Sequence, residues 1–556
     1  MVGQRLAQYR ICLVDTGQRA GGEHDAEAER VVGLVALEHG DLGGRVGQLD
    51  PGQWFTNLGS DRGWGDIAIP GSGVNGRAIP EHMGRVIGGG TSINATIWAR
   101  PFRADLDHWA DVTGDAAWGY EHGLEIYRRI EDWQGAPDAH YRGKGGPVWC
   151  QPAADLSPLA PALLETAGSL GHPVLPDQNG AREESAGGFA LMNQIIHDGR
   201  RHNMAKAFLY PVLAQDNITV LTGADVDRVV LQGERATGVE VSIDGRSRVI
   251  GATSEVILSA GGINTAKILM LSGVGDAADL RALGIDVVAN SPEVGANFQD
   301  HILHGGCLWE PEEAQTPSNS AANAAGFWKS NSALASPDLN IVQIEIPYAS
   351  EVLAKQYNPP ASSWALCAGL VAPKSRGRLQ LHSADPRDRP ILDARFLTHP
   401  DDVTALAKGI ELCRDLGNSV GMRTFAKREV APGKNLAGSD LTDFIRNGAT
   451  TYFHEVGTCR MGRDSTAVVD PQLRVNGVRN LRVADASIMP RIPSVATMAT
   501  CVLIGVRMAE ILGVWPASGR LVRWPPSTAA TAIRAGRRGA GPVSGAPRRH
   551  VPRRSS

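Results

Sequence analysis

Apolar residues along this chain come in two kinds of short run. Clusters rich in β-branched residues, "NITVLTGADVDRVVL" (217–231) and "GVEVSI" (238–243), are bounded by turn residues and predict strands. "NTAKILMLSG" and "DDVTALAKGIELCRDLG" predict helices, the second with Asp401 and Asp402 at its start and Gly417 as its stop. "ILSAGGINTAKILMLSGVG" (257–275) joins both kinds. Its β-run breaks at Ala260, Gly261 and Gly262 into a helix that ends at Ser272 and Gly273. From about residue 51 to 515 the pattern is that of a mixed α/β protein with no internal repeat. No run approaches the roughly 18 to 20 apolar residues needed to span a bilayer. The amino terminus lacks an apolar stretch fit for a signal peptide, so a cytoplasmic location is expected.

The two ends differ from the middle. The last forty or so residues are rich in Pro, Gly, Ala, Ser and Arg and carry no acid, so residues 517–556 are expected to form a disordered basic tail. Near the start, "ICLV" and "VVGLVALE" read as strands, but the "GGEHDAEAE" between them puts acids where a packed helix needs an apolar face.

At 556 residues the chain exceeds one compact core and predicts two or three domains. A net charge of −4 gives no general pull toward nucleic acid. Seven scattered cysteines without C-x-x-C spacing signal neither a zinc site nor a disulfide framework. No metal is expected.

The chemistry concentrates in four segments. In "GRVIGGGTSINATIWARPFRADLD" (84–107), Gly88, Gly89 and Gly90 precede Thr91, Ser92 and Asn94. A glycine run lets the main chain approach a flat or anionic group, yet no Gly-Lys-Ser/Thr follows to make a phosphate loop. The others are residues 257–275, "TTYFHEVGTCRMG" (450–462) and "LRVADASIMPRIPS" (481–494). Together, with "VGANFQDH" (294–301) and "PKSRGRLQLHSADP" (373–386), they resemble the glucose–methanol–choline (GMC) oxidoreductases, which oxidise alcohols with bound FAD.

The resemblance implies an α/β fold: an FAD-binding Rossmann-like (doubly wound) domain and a substrate domain built on an antiparallel sheet covered by helices. It places the FAD-binding domain at residues 51–147, 204–304 and 448–516, and the substrate cap at 148–203 and 305–447. Val86, Gly89, Thr91, Asn94, Ala95, Thr96 and Ile97 are then expected along FAD. Thr91 and the backbone near Asn94 would supply hydrogen bonds to it, and Val226 would meet the adenine through its backbone. Phe453, Asp485, Ala486, Ala496, Thr497 and Met498 are expected around the ring and ribityl chain. His454 occupies the family's catalytic histidine position. A neutral imidazole suits removal of a hydroxyl proton while hydride leaves for the flavin.

Three departures qualify this. Ala496 stands where the family carries a second His or Asn, and alanine has neither donor nor acceptor; Glu455 stands where Pro is common. Residues 1–50 form an atypical start: Asp15, Gly17 and Ala20 stand where the dinucleotide fingerprint has three glycines, so only Gly17 keeps one, with Glu38 at the ribose position. That implies weak cofactor holding or a terminus unlike that of the natural gene. Ile93 stands where some members tether flavin to a histidine, so attachment there is expected to be non-covalent. Expected partners are a small alcohol and either oxygen or another electron acceptor, with oligomeric state open. The apolar "FWKSNSALAS" (327–336) and "IVQIEIPYAS" (341–350) favour aryl or alkyl alcohols over sugars. A flavin-containing lyase on the same fold and a catalytically impaired remnant are the alternatives.

Overall fold

The computed structural model describes residues 50–215, 218–318 and 320–514, with the backbone of Arg10–Val14 and Gly33–Ala36. Gly17, Glu38 and the basic tail lie outside the described residues. Strands β1 (Arg10–Val14) and β2 (Gly33–Ala36) come first. Next is a hairpin of β3 (Asp66–Gly71) and β4 (Arg77–Glu81), which leads into the glycine segment. β5 (Gly188–Leu191) precedes a meander of β6 (Ala224–Gln232), β7 (Arg235–Ile243) and β8 (Arg246–Gly251). β9 (Glu255–Leu258) then feeds helix α1 (Gly261–Leu271). The chain continues through β10 (Ile302–Glu310), β11 (Ala324–Trp328), β12 (Leu339–Ile344) and β13 (Trp364–Leu370). Helix α2 (Pro400–Gly417) precedes β14 (Arg428–Ala431), β15 (Ala449–Thr451), β16 (Leu481–Val483) and helix α3 (Met498–Ile511).

Two sheets frame the molecule. The first has the order β2-β1-β9-β16, with β9 and β16 parallel and in register from Val256↔Leu481 to Leu258↔Val483. A dinucleotide-binding start would run β1 parallel to its neighbours. Instead β1 pairs antiparallel with both β2 and β9. The fingerprint glycines that turn a strand into a crossover helix are the ones replaced by Asp15 and Ala20, so the local sequence lacks the turn that fixes the parallel direction.

The second sheet is antiparallel, in the order β14-β10-β13-β12-β11-β5, with β15 also paired to β10. Its central strands are covered on both faces and read as nearly unbroken apolar runs; "WALCAGL" of β13 is buried throughout. Period-two alternation still sorts the side chains. On β12, Asn340, Val342 and Ile344 face a central cavity, whereas Leu339 packs toward α2 at Gly409.

The expected helices are found, with one change of role. Gly417 is the last residue of α2 rather than a left-handed stop, and the cap is Asn418 at φ −94°. A Cβ at Gly417 would stand 2.2 Å from the Trp309 ring, so close packing requires the glycine. The β-rich stretch at 217–231 becomes regular strand only from Ala224. Among the described residues, no helix is long and apolar enough to cross a membrane.

Candidate active site

The second sheet, the segments that follow β9 and β16, the glycine segment and α3 enclose a cavity of about 640 Å³, within the range typical of cofactor and ligand sites. The glycine segment forms one wall. Gly88 and Gly89 take φ of +88° and +53°, which turns the chain tightly before Gly90. A Cβ built at Gly90, at Gly261 or at Gly505 meets no atom within 4 Å, so the cavity wall is bare main chain at these three lining positions. The α1 N-terminus opens on the same space through Gly261 to Asn264, where helix amides and dipole favour an anionic group. A flat ring bearing a diphosphate chain fits such walls.

Thirteen expected residues line this cavity: Val86, Gly89, Thr91, Asn94, Ala95, Ile97, Phe453, His454, Asp485, Ala486, Ala496, Thr497 and Met498. Thr96 and Val226 lie off its surface. Thr96 is fully buried at φ +63°, its N–H donated to the Asn94 carbonyl Oδ1, and Val226 is a core position of β6 paired with Val241. The polar side chains of the glycine segment shape the loop itself. The Thr91 hydroxyl donates to the Gly88 carbonyl at 2.6 Å and accepts the Met204 N–H at 3.1 Å. Asn94 Oδ1 accepts from Arg201 at 2.7 Å.

Asp485 braces the junction of the first sheet with α1. Its Oδ2 accepts from the Gly261 N–H at 2.9 Å and the Thr265 hydroxyl at 2.5 Å, while Oδ1 accepts from the Ser487 N–H at 2.8 Å. Burial nevertheless raises its pKa above the ordinary aspartate value. A second brace lies at Gly262, where a Cβ would stand 2.2 Å from the Glu455 carbonyl oxygen. The Thr458 hydroxyl also donates to the Gly262 carbonyl at 2.5 Å. The segment bearing His454 is thereby held against α1.

His454 meets a partner the sequence did not mark out. Its Nδ1 lies 2.9 Å from Nδ1 of His301, whose Nε2 lies 2.9 Å from the Pro493 carbonyl oxygen. A carbonyl only accepts, so His301 Nε2 carries a hydrogen. Burial, and then the neighbouring His454, hold His301 far below its ordinary pKa, so it is neutral and its Nδ1 is bare. His454 must then donate from Nδ1, which leaves its Nε2 with a free lone pair. Burial pulls the His454 pKa down to about 3, so this imidazole is neutral at physiological pH. Its main-chain N–H donates to Asp300 Oδ1 at 2.8 Å, which fixes the backbone as well.

Neither Ala496 nor Met498 brings a strong hydrogen-bonding group to the cavity, so no second imidazole or amide comes from that segment. Tyr452 also lies close, its ring centroid 4.8 Å from that of His454 and its hydroxyl donating to Asn340 Oδ1 at 3.1 Å. Met192, Leu303, Ala325, Phe327, Val342 and Ile344 supply an apolar wall.

Comparison with known proteins agrees with these features. Residues 30–303 and 373–505 match the N- and C-terminal family models described as GMC oxidoreductase, the first match beginning beyond the altered fingerprint. The chain is 34% identical over 514 residues to an oxygen-dependent choline dehydrogenase of Brucella ovis, covering 87% of this chain and 91% of that one. Among solved structures it is similar to pyridoxine 4-oxidase from Mesorbium loti, with a TM-score of 0.81, 31% identity, and coverage of 86% of this chain and 93% of that one. A fungal aryl-alcohol oxidase shares the fold at a TM-score of 0.70 and 22% identity, covering 81% of this chain and 89% of that one.

Proposed function

The chain belongs to the GMC oxidoreductase family, FAD-dependent enzymes acting on CH–OH donors, and we propose that it oxidises an uncharged alkyl or aryl alcohol with His454 as the general base. The observation that carries this reading is the tautomer lock: His301 holds the His454 hydrogen on Nδ1, which leaves Nε2 to receive a proton. FAD, when bound along the bare-backbone wall, supplies the hydride acceptor.

The chain's own part is positional and protonic. The alcohol hydroxyl donates to His454 Nε2, and its proton moves there as hydride leaves the carbinol carbon. A base so placed contributes roughly 10²- to 10⁴-fold in rate. The imidazolium that forms keeps its Nδ1–H on His301, so the ring does not turn during the step. Gly88 to Gly90 admit the cofactor, and Asp485 keeps the first turn of α1 facing it. Residues 148–203 and 305–447 are proposed as the substrate cap, because they contribute the apolar wall apart from Leu303.

The choice of an uncharged substrate comes from the acids. Asp66, Glu455 and Asp485 are the carboxyl side chains that line the cavity among the described residues, and none belongs to the sheet wall of Leu303, Phe327, Val342 and Ile344. A fixed cation there would lose its hydration without gaining a countercharge. A choline-type cation would have to rely on the rings of Trp54, Tyr348 and Tyr452 that line the same cavity, so an uncharged alcohol is the proposed preference.

The test is anaerobic mixing of the FAD-loaded protein with benzyl alcohol or choline while flavin absorbance is followed. Bleaching by benzyl alcohol, weak response to choline and loss of bleaching in His454→Ala are expected. A flavin that stays oxidised with every alcohol would refute alcohol oxidation and favour the lyase reading.

A further inference from the structure

Beside His454 lies a group of buried acids that the proposed reaction does not use. Glu81 on β4, Asp300 and Glu455 are 0%, 3% and 1% exposed, and one carboxyl oxygen from each lies within 4.8 Å of the others. Asp300 has partners, since its oxygens accept from the His454 N–H and, at 2.5 Å, from the Thr451 hydroxyl, although burial and then the Glu455 charge push its pKa up. Glu81 and Glu455 differ: all four of their carboxyl oxygens are buried with no hydrogen-bond partner.

The surroundings supply no compensating charge. Asp66, paired with Glu81 across the β3–β4 hairpin, adds another acid. Lys267 of α1 and Arg389 act on Asp66, and the Lys267 ammonium donates to the Pro386 carbonyl at 2.7 Å. From the remaining direction come Thr451, engaged by Asp300, and the neutral His454. The Thr451 hydroxyl and the Glu455 main-chain N–H favour the charged forms, but two adjoining buried carboxylates with no countercharge cannot both stay ionised. A single O–H···O bond between them gives each group a partner and leaves one negative charge in place of two.

We propose that Glu81 and Glu455 behave as one acid that keeps a shared proton in the working enzyme, so that the cavity wall beside His454 carries less negative charge. Burial and then the charges of Glu455 and Asp300 push Glu81 well above the ordinary glutamate range, and burial lifts Glu455 to about 7. The pair titrates as a unit, so these shifts describe the couple. Because Glu455 lines the cavity, loss of this proton adds negative charge near the hydride acceptor and disfavours its reduction. That last consequence rests on the proposed function; the shared proton itself does not.

The test compares the wild-type protein with Glu81→Gln and Glu455→Gln. A glutamine offers an N–H where the acid offered its O–H and cannot release it. Both acids hold their proton more tightly when folded than when unfolded, so wild-type stability should fall as pH rises from about 4.5 through about 7 and beyond. The expected result is a wild-type Tm that drops across this window, with a clearly flatter profile in each variant. A carboxylic-acid C=O infrared band should be present at neutral pH in the wild type and absent from both variants. In FAD-loaded protein, the flavin midpoint potential should fall more steeply with pH in the wild type than in Glu455→Gln. Equal Tm slopes in all three proteins, or absence of the wild-type infrared band, would overturn the proposal. So would calorimetric binding of Mn²⁺ or Ca²⁺ by the wild type that Glu455→Gln abolishes, since a cation would then occupy the place of the proton. A protein that shows the Tm and infrared behaviour but no alcohol oxidation would refute the functional reading and leave the shared proton standing.

Discussion

Replacing His301 with alanine removes the acceptor that holds the His454 hydrogen on Nδ1. The ring can then place that hydrogen on Nε2, which disables the lone pair proposed to receive the substrate proton. The lost bond, 2.9 Å long between two neutral rings, is worth about 0.5 to 1.5 kcal/mol net. A buried N–H left without an acceptor costs about 1 to 3 kcal/mol. Between about 1 and 3 kcal/mol of lost positioning corresponds to a fall in kcat/KM of roughly 5- to 150-fold. The assay is steady-state oxidation of benzyl alcohol at saturating FAD, normalised to flavin content, with Tm recorded because the truncation also opens a hole. His301→Asn separates the two effects: its carbonyl Oδ1 stands near the former Nδ1 and accepts the same N–H. Activity should return most of the way toward wild type in the asparagine variant, whatever its Tm. An alanine variant with full flavin and unchanged kcat/KM would refute the tautomer argument, as would an asparagine variant no better than alanine.

Other outcomes follow from the same structure. Gly90→Val projects its side chain into space free of protein atoms, so Tm of the cofactor-free protein should barely change, while FAD affinity measured by titration falls at least about tenfold, roughly 1.4 kcal/mol. Glu131→Gln strips the charge from a fully buried carboxylate that binds Arg100 and Arg142 and accepts from Trp98 at 2.7 Å; chemical denaturation should show a loss of about 3 to 5 kcal/mol. With Ile93 rather than a histidine in the glycine segment, denaturation and filtration should leave the flavin in the filtrate, and colour retained by the unfolded chain would contradict this.

The glycine segment and His454 were legible in the sequence because their chemistry is local: a bare backbone and an imidazole keep their meaning wherever the chain carries them. What escaped depends on distance or context. His301 lies 153 residues from His454, and nothing in "QDH" tells which ring nitrogen meets which. Glu81 and Glu455 look like ordinary surface acids until the hairpin and the His454 segment are packed together. Gly417 looked like a helix stop because sequence does not distinguish a glycine chosen for its φ from one chosen to admit an indole. Thr91 and Asn94 line the cavity, but their side chains are engaged by the loop, which competes with any ligand for the same groups. The antiparallel direction of β1 was hidden as well, since apolar runs announce a strand without giving its sense.

The contact between Gly262 and the Glu455 carbonyl has a consequence for how this enzyme could diversify. The segment carrying His454, the proposed base, is riveted to α1, whereas the apolar wall belongs to a different sheet. Mutations in Phe327, Val342 or Ile344 can therefore reshape what is admitted while the proton acceptor keeps its place. Any side chain at position 262 would wedge the reacting groups apart, however well suited the substrate.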